Sequence, residues 1–250
     1  MTRKTIVTVL LMMVSLFNIA SSFAQDPNRL MLVTNEFPPY ASFKDGQFSG
    51  IAVDIITKLM SQAGYPGKII ILPWKRALQY SQNQKMMLFP YTRRPYREKS
   101  FKWIGPILND RFVFAVRSSD KRIFSNIDDF KNLQIGVNES TPTAFRLHEL
   151  AFEKLQIVTS EKFNAKKLVA GNRIDAWYAP YLILKYTIQF EKIAEKEIRI
   201  AFLDIGVDMY IAASLSVPDE TIALWQKNLD EMKENGTYQL ILSKSIYKPR

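Results

Sequence analysis

Four arginines and several aromatic residues lie close together in one part of the chain, where they could bind an anion. Residues 89–107 read FPYTRRPYREKSFKWIGPI and contain Arg93, Arg94 and Arg97, while Arg76 lies a little upstream. A guanidinium group is a rigid fork of donors that matches a carboxylate or a phosphate with two hydrogen bonds at once. The segment has neither helical nor strand periodicity, which is typical of a binding edge. The alternative interpretation is a solvated basic surface.

The composition excludes several kinds of catalytic and metal site. The chain has 250 residues, enough for one large domain or two small lobes, and it contains no cysteine. It therefore has no disulfide, thiolate metal site or cysteine nucleophile. A single histidine, His148, excludes a histidine-rich metal site, and no nucleophile–base pair or paired carboxylates stand out. We expect no enzymatic activity and no cofactor.

Residues 1–24 are typical of a secretory signal peptide. Arg3 and Lys4 supply the positive start, residues 6–20 form an apolar run, and Ser-Phe-Ala at 22–24 is a small-x-small cleavage site. The apolar run is too short for a comfortable membrane span. The mature chain is expected to begin near Gln25 and to lie in the periplasm. Because no cysteine follows the signal, we expect it to carry no lipid anchor.

The charge of the chain favours small anionic or zwitterionic partners over nucleic acid. The formal net charge is +10 at pH 7, but lysine and arginine are scattered along the sequence and do not cluster on one helix. A positive field of this kind attracts small anions. We expect a small-molecule solute as the ligand and no binding of nucleic acid.

Apolar patterns and turn signals predict alternating strands and helices. Such alternation indicates an α/β fold with largely parallel sheets. The predicted strands cover 30–35, 68–72, 86–89, 111–117, 134–137, 174–178, 198–203 and 209–213. Predicted helices cover 51–63, 163–170, 223–232 and 237–243, with others starting at 74, near 142 and at 180. The extended runs near 110–117 and 203–213 are predicted to connect two lobes.

Short motifs along the mature chain resemble those of one protein family. They are FPPY at 37–40, GIAVD at 50–54, PWKRAL at 73–78, RPYR at 94–97 before WIGP at 103–106, GVNEST at 136–141, GNRIDA at 171–176 and NGTY at 235–238. Each motif is weak, but their order is similar to that of the bacterial extracellular solute-binding proteins of the polar-amino-acid type, family three. The resemblance covers nearly all of the mature chain.

The resemblance implies a two-lobed, type II periplasmic-binding-protein fold. Each lobe is then a mostly parallel sheet flanked by helices, and two strands form the hinge on which the lobes close around a solute. We expect the first lobe to comprise residues 25–112 and 206–250, and the second lobe residues 113–205.

The resemblance also implies a set of ligand-binding residues, with Arg97 gripping the α-carboxylate of the ligand. The alternative for Arg97 is a structural ion pair with Glu98 or Asp110. The other candidates are the hydroxyls of Thr92, Ser140 and Thr141, the rings of Tyr40, Trp74, Tyr91 and Trp177, the guanidinium of Arg94 and the carboxylate of Glu36.

One departure from the family pattern concerns the ligand ammonium. The family usually carries an acidic residue about five positions after the Asp-Ala pair at 175–176, and this chain has Pro180 there. A buried ammonium without a partner would be unfavourable. Either another carboxylate, Glu36 or Glu139, takes this role, or the ligand has no α-amino group.

Three functional hypotheses follow from the resemblance. The first is a binding protein, expected to be a monomer, that delivers its solute to the membrane permease of an ABC transporter. The second is a ligand-sensing protein that reports to a membrane sensor. The third is a dehydratase-type enzyme on the same scaffold, which the absence of a recognisable catalytic group disfavours.

Overall fold

The computed structural model of the chain describes residues 30–139, 141–170 and 173–244. The predicted signal peptide at residues 1–24 and the candidate Ser140 lie outside the described residues. Within the described residues, no helix is both long enough and apolar enough to cross a membrane.

Helices and strands alternate along the chain, as the patterns predict. The strands are β1 (Met31–Thr34), β2 (Ser42–Lys44), β3 (Gln47–Ser49), β4 (Ile69–Ile71), β5 (Met86–Thr92), β6 (Phe101–Arg117), β7 (Ile135–Asn138), β8 (Leu155–Val158), β9 (Ala176–Pro180) and β10 (Ile198–Ser214). The α-helices are α1 (Ile51–Gln62), α2 (Trp74–Ser81), α3 (Pro142–Glu149), α4 (Glu161–Val169), α5 (Tyr181–Phe190), α6 (Asp219–Glu234) and α7 (Thr237–Lys244).

Eight of the described strands form one mixed sheet, in the order β4-β1-β5-β10-β6-β9-β7-β8. At one end β1 runs parallel to β4 and β5, and at the other β7 runs parallel to β8 and β9. The central strands β6 and β10 are antiparallel to their neighbours. Strands β2 and β3 form a separate hairpin. The predicted α/β class and its largely parallel pairing are confirmed.

The two central strands are longer than the sequence patterns indicate. Strands β6 and β10 each have 17 residues and pair along their length. The runs predicted separately at 198–203 and 209–213 belong to one strand. Its register shifts between Leu203 and Gly206, where Asp204 and Gly206 interrupt the apolar pattern. Strand β6 also begins earlier than predicted, at Phe101 and not at residue 111. Gly105 and Pro106 lie inside the strand and do not end it.

Buried side chains form separate cores on either side of the middle of β6 and β10. In the first lobe, α1, α6 and α7 pack on one face of the sheet through residues such as Ile55, Leu229 and Leu242, and α2 covers the other face through Ala77. In the second lobe, α3 packs on one face, while α4 and α5 pack on the opposite face. The lobe boundaries given above stay a prediction.

A buried carboxylate joins the two lobes in the middle of β6. Asp110 accepts hydrogen bonds from the hydroxyl of Tyr40, in the first lobe, and from the backbone N–H of Leu182, 3.4 Å away at the start of α5. The side-chain oxygen Oδ1 also accepts from the N–H of Arg111 at 2.7 Å. Burial raises the pKa of Asp110 to about 6, and the bond from Tyr40 opposes the shift.

The raised pKa of Asp110 predicts a pH-dependent stability. Between about pH 4 and 6 the unfolded chain has lost this proton while the folded chain keeps it, so stability falls as the pH rises. Asp110→Asn removes this titration. The free energy of unfolding of the variant, relative to the unsubstituted protein, should rise by about 2–3 kcal/mol between pH 4 and 7. Urea denaturation at several pH values measures the difference, and parallel curves would contradict the assignment.

Candidate functional site

A cavity of about 600 Å³ lies between the two lobes. Its walls include residues at or just after the carboxyl ends of the parallel strands, namely Asn35 after β1, Thr92 of β5, Asn138 of β7, Thr159 after β8 and Pro180 of β9. Backbone groups are unpaired at such strand ends, and ligands of open α/β sheets bind there. The sheet topology therefore positions a candidate ligand site at this cavity.

Arg97 borders the cavity from the first lobe and is held by its neighbours. It lies in a 3-10 turn, Pro95–Ser100, that follows β5. Its Nη1 donates to the backbone oxygen of Thr92 at 3.0 Å. The guanidinium carbon lies 4.4 Å from the centre of the Tyr91 ring and 5.0 Å from that of Tyr96. These contacts order the side chain without neutralising its charge.

Both alternative ion-pair partners of Arg97 are occupied elsewhere. Glu98 forms a salt bridge with Arg93, and Asp110 bonds to Tyr40. Within residues 30–139, 141–170 and 173–244, Arg97 forms no salt bridge with any carboxylate. The hypothesis of a structural ion pair with Glu98 or Asp110 is therefore wrong.

An aromatic wall surrounds the arginine. The ring of Trp74 meets that of Tyr91 edge-on at 5.2 Å between centroids, and Tyr91 stacks on Trp103 at 6.2 Å. Further rings line the cavity, those of Phe37, Phe112, Tyr186 and Phe190. Apolar and aromatic walls with a few polar groups are the usual form of a small-molecule site.

Thr141 contributes a hydroxyl from the second lobe, and this hydroxyl also caps a helix. Its Oγ1 accepts from the N–H of Ala144 at 3.3 Å and donates to the backbone oxygen of Asn138 at 2.7 Å. Helix α3 behind it is fixed by two bonds from Arg146 to Asp204, of 2.5 and 2.8 Å. Thr141 is therefore the N-cap of α3, a position that serine and threonine favour.

The structure brings together half of the predicted site residues. Those bordering the cavity are Trp74, Tyr91, Thr92, Arg97 and Thr141. Their contact with a ligand stays a prediction. Ser140 lies outside the described residues.

Four other predicted site residues lie away from the cavity. Tyr40 is fully buried in the first-lobe core, because its hydroxyl bonds Asp110, and Trp177 is fully buried in the second-lobe core. Glu36 is exposed and accepts from the hydroxyl of Ser42 at 2.6 Å and the N–H of Phe43 at 2.9 Å. Arg94 precedes the 3-10 turn and does not border the cavity. The sequence alone could not show which way these side chains face.

Sequence reasoning missed Glu161, the first residue of α4. It borders the cavity and is 9% exposed. Its Oε2 accepts from Trp177 Nε1 at 2.7 Å and from Asn164 Nδ2 at 3.0 Å. Burial raises the pKa of this carboxyl. Its signal was weak, because the strand before it, β8, was not predicted and the helix was predicted to begin at residue 163.

The close approach of β7 to α4 positions this carboxylate. Gly136 lies opposite Asn164, and a Cβ atom at residue 136 would come within 2.6 Å of Asn164 Oδ1. A glycine in β7 thus leaves room for the asparagine that bonds Glu161. No group of three or more histidine, aspartate or glutamate side chains suited to a metal ion occurs among the described residues.

The hydrogen bond from Trp177 to Glu161 gives a testable stability effect. Trp177→Phe keeps an aromatic ring but removes a donor to a buried acid. We expect the free energy of unfolding to fall by about 1–3 kcal/mol more than in Trp103→Phe. The Nε1 of Trp103 is also buried but has no hydrogen-bond partner among the described residues, so this control loses no bond. Equal losses in chemical denaturation would show that the bond contributes little.

The sequence and the fold are similar to those of known binding proteins. A model of the bacterial extracellular solute-binding proteins, family 3, matches residues 30–247. No curated protein sequence matches the chain.

Solved structures share the fold at low sequence identity. A histidine kinase sensor domain with similarity to periplasmic binding proteins has a TM-score of 0.73 at 15% identity, over 90% of this chain and 100% of that one. The ligand-binding core of GluR0 from Nostoc punctiforme, in complex with L-glutamate, has a TM-score of 0.70 at 20% identity, over 88% and 100%. The arginine-, lysine-, histidine-binding protein ArtJ from Geobacillus stearothermophilus has 0.68 at 18%, over 89% and 97%. These likenesses confirm the two-lobed type II fold.

Proposed function

We propose that this chain, which belongs to the bacterial extracellular solute-binding proteins of family 3, binds a small carboxylate-bearing solute and delivers it to a membrane ABC transporter. The observation that carries the proposal is Arg97, a cation in the cavity wall that no carboxylate of the described residues neutralises. An amino acid or a related acid is the expected solute.

The environment of Arg97 supports carboxylate binding. Its stacking on Tyr91 and its bond to Thr92 already restrict the side chain, so less conformational entropy is lost when a ligand binds. In a half-enclosed, aromatic cavity a guanidinium–carboxylate pair is stronger than the same pair in water. Thr92 and Thr141 border the cavity from opposite lobes. The hydroxyl of Thr141 is already engaged by Asn138, Thr143 and Ala144 within its own loop.

The lobes are proposed to close on the solute by rotating about β6 and β10. Residues 25–112 and 206–250 would move against residues 113–205, with the bulge between Leu203 and Gly206 as a point of bending. We place the mature protein in the periplasm, after removal of residues 1–24, in agreement with the extracellular character of the family.

Truncating Arg97 should remove most of the ligand affinity and leave the fold intact. A thermal-shift screen of amino acids, carboxylates and phosphorylated solutes identifies ligands, since a ligand that binds only the folded state raises Tm. For the best hit, Arg97→Ala should weaken binding about 100-fold, because it leaves the carboxylate without its partner. Arg97→Lys should also lose affinity, because an ammonium lacks the planar fork. Arg76→Ala, an exposed arginine away from the cavity, is the matched control. Undiminished stabilisation of Arg97→Ala by the ligand would refute the carboxylate clamp.

Lobe closure should be visible in solution scattering. Saturating ligand should reduce the radius of gyration of the unsubstituted protein, because the lobes approach each other across the cavity. The same concentration should leave Arg97→Ala unchanged. An unchanged radius in the unsubstituted protein, with binding confirmed by calorimetry, would count against closure.

A second candidate function is ligand sensing. The likeness in fold to a histidine kinase sensor domain favours it. Uptake of labelled ligand by cells with and without the protein separates the two roles, because a sensor changes gene expression without supplying the solute to a permease. Chemical turnover of a screened ligand would instead support a dehydratase-type activity.

A further inference from the structure

We propose that the solute carries a planar aromatic group beside its carboxylate, and that this group packs on the cavity face of helix α5. The proposal rests on the proposed function, in which Arg97 binds the carboxylate. It narrows the solute class to aryl carboxylates and assigns their recognition to second-lobe side chains just after β9. We call these side chains, Ile183, Tyr186 and Phe190, the α5 platform.

The spacing of apolar residues gives α5 two apolar faces. Residues three and four apart lie on the same side of a helix. Leu184 and Ile188 are buried in a core of the second lobe. Ile183, Tyr186 and Phe190 instead border the cavity. The core face anchors the helix, and the platform is thereby held at the cavity wall.

Tyr186 and Phe190 form a stacked aromatic pair. Their ring centroids lie 5.6 Å apart, with 21° between the ring planes. Phe190 is 68% exposed although it borders the cavity. A ligand that covers this ring removes apolar area from water, which favours binding. Aromatic rings also prefer offset-stacked or edge-to-face contacts with one another, so the pair favours a planar ligand group.

The first lobe supplies apolar side chains to the same cavity. Trp74 and Leu78, four residues apart on α2, both border it, as does Phe37 after β1. The Trp74 ring is positioned by its edge-on contact with Tyr91. A group bound between the lobes therefore meets apolar surface from both of them.

The size of the cavity leaves room for an aromatic ring beside a carboxylate bound at Arg97. Its volume is about 600 Å³. Sites that enclose drug-sized ligands with mainly apolar walls have volumes of roughly 300–1,000 Å³. The cavity therefore has the size and the walls of a site for an aryl carboxylate.

Several polar side chains at the cavity are engaged within the second lobe. Glu191 forms a salt bridge of 2.9 Å with a lysine of α4, and the Thr141 hydroxyl bonds within its own loop. Glu161 accepts from an indole and an amide. Of the carboxylates that the sequence offers for a ligand ammonium, Glu36 and Glu139 do not border the cavity. Recognition by the α5 platform requires no amino group on the solute.

The competing explanation is that Phe190 is a surface ring near the end of α5 and touches no ligand. Phe190→Ala distinguishes the two roles, because it removes the ring from an exposed position where the fold depends on it little. Phe145→Ala is the matched control. Phe145 is a comparably exposed ring, at 63%, on helix α3 of the same lobe and outside the cavity wall.

The experiment uses the purified protein and carboxylates that differ in their apolar body. Phenylacetate, indole-3-acetate and cyclohexylacetate are compared with acetate, and L-phenylalanine with L-alanine, by thermal shift. For the compound that raises Tm most, calorimetry gives the dissociation constants of the unsubstituted protein, Phe190→Ala, Phe145→Ala and Arg97→Ala. Circular dichroism and the ligand-free Tm report whether each variant is folded.

We expect each aryl compound to raise Tm more than its counterpart of the same charge. Phe190→Ala should weaken binding of the aryl carboxylate about tenfold, and Phe145→Ala should leave it unchanged. A panel in which no aryl compound raises Tm overturns the proposal, and this comparison needs no variant. So does a Phe190→Ala variant that binds the aryl carboxylate unchanged. Binding of cyclohexylacetate as tight as that of phenylacetate overturns the preference for a planar ring.

The outcomes for the α5 platform and for Arg97 can be told apart. If Arg97→Ala abolishes binding of the aryl carboxylate while Phe190→Ala leaves it unchanged, the carboxylate clamp stands and the platform fails. If Phe190→Ala weakens binding while Arg97→Ala leaves it unchanged, the platform stands and the clamp fails.

Discussion

The antiparallel pairing of β6 and β10 is the constraint on which the rest of the structure depends. Both strands run through both lobes, and each lobe adds its own parallel strands to their ends. This arrangement makes the carboxyl ends of β1 and β5 face those of the second-lobe strands across one cavity. Asp110 in the middle of β6 then ties Tyr40 of one lobe to the start of α5 in the other.

The cavity combines aromatic walls with few charges, and the charges differ in how far the protein itself compensates them. The Arg93–Glu98 and Arg146–Asp204 pairs satisfy their members and serve the fold. Arg97 is ordered by a ring and a backbone oxygen, which restrict its position but leave its charge for a partner. Glu161 is held in the same way by an indole and an amide. In a structural ion pair each charge is neutralised by its partner, whereas these two side chains are positioned by uncharged groups.

Much of the fold could be predicted, because the apolar periodicity and the turn residues lie within each element. The strand before Asn35, the helix beginning at Trp74 and the cap at Thr141 follow from local sequence. The full length of β10 does not follow from local sequence, since Asp204 and Gly206 look like a break until the partner strand is known. Strand β8 is hard to predict because its four residues are too few for an alternation of apolar and polar positions to stand out.

By itself, the sequence determined the class of fold, the family resemblance and the position of Arg97 on the edge that follows β5. Only the tertiary structure decided which side chains face the cavity. Tyr40 and Trp74 both follow strands in proline-containing loops, yet Tyr40 points to a buried carboxylate and Trp74 to the cavity. Orientation depends on contacts between elements distant in sequence, which periodicity cannot record.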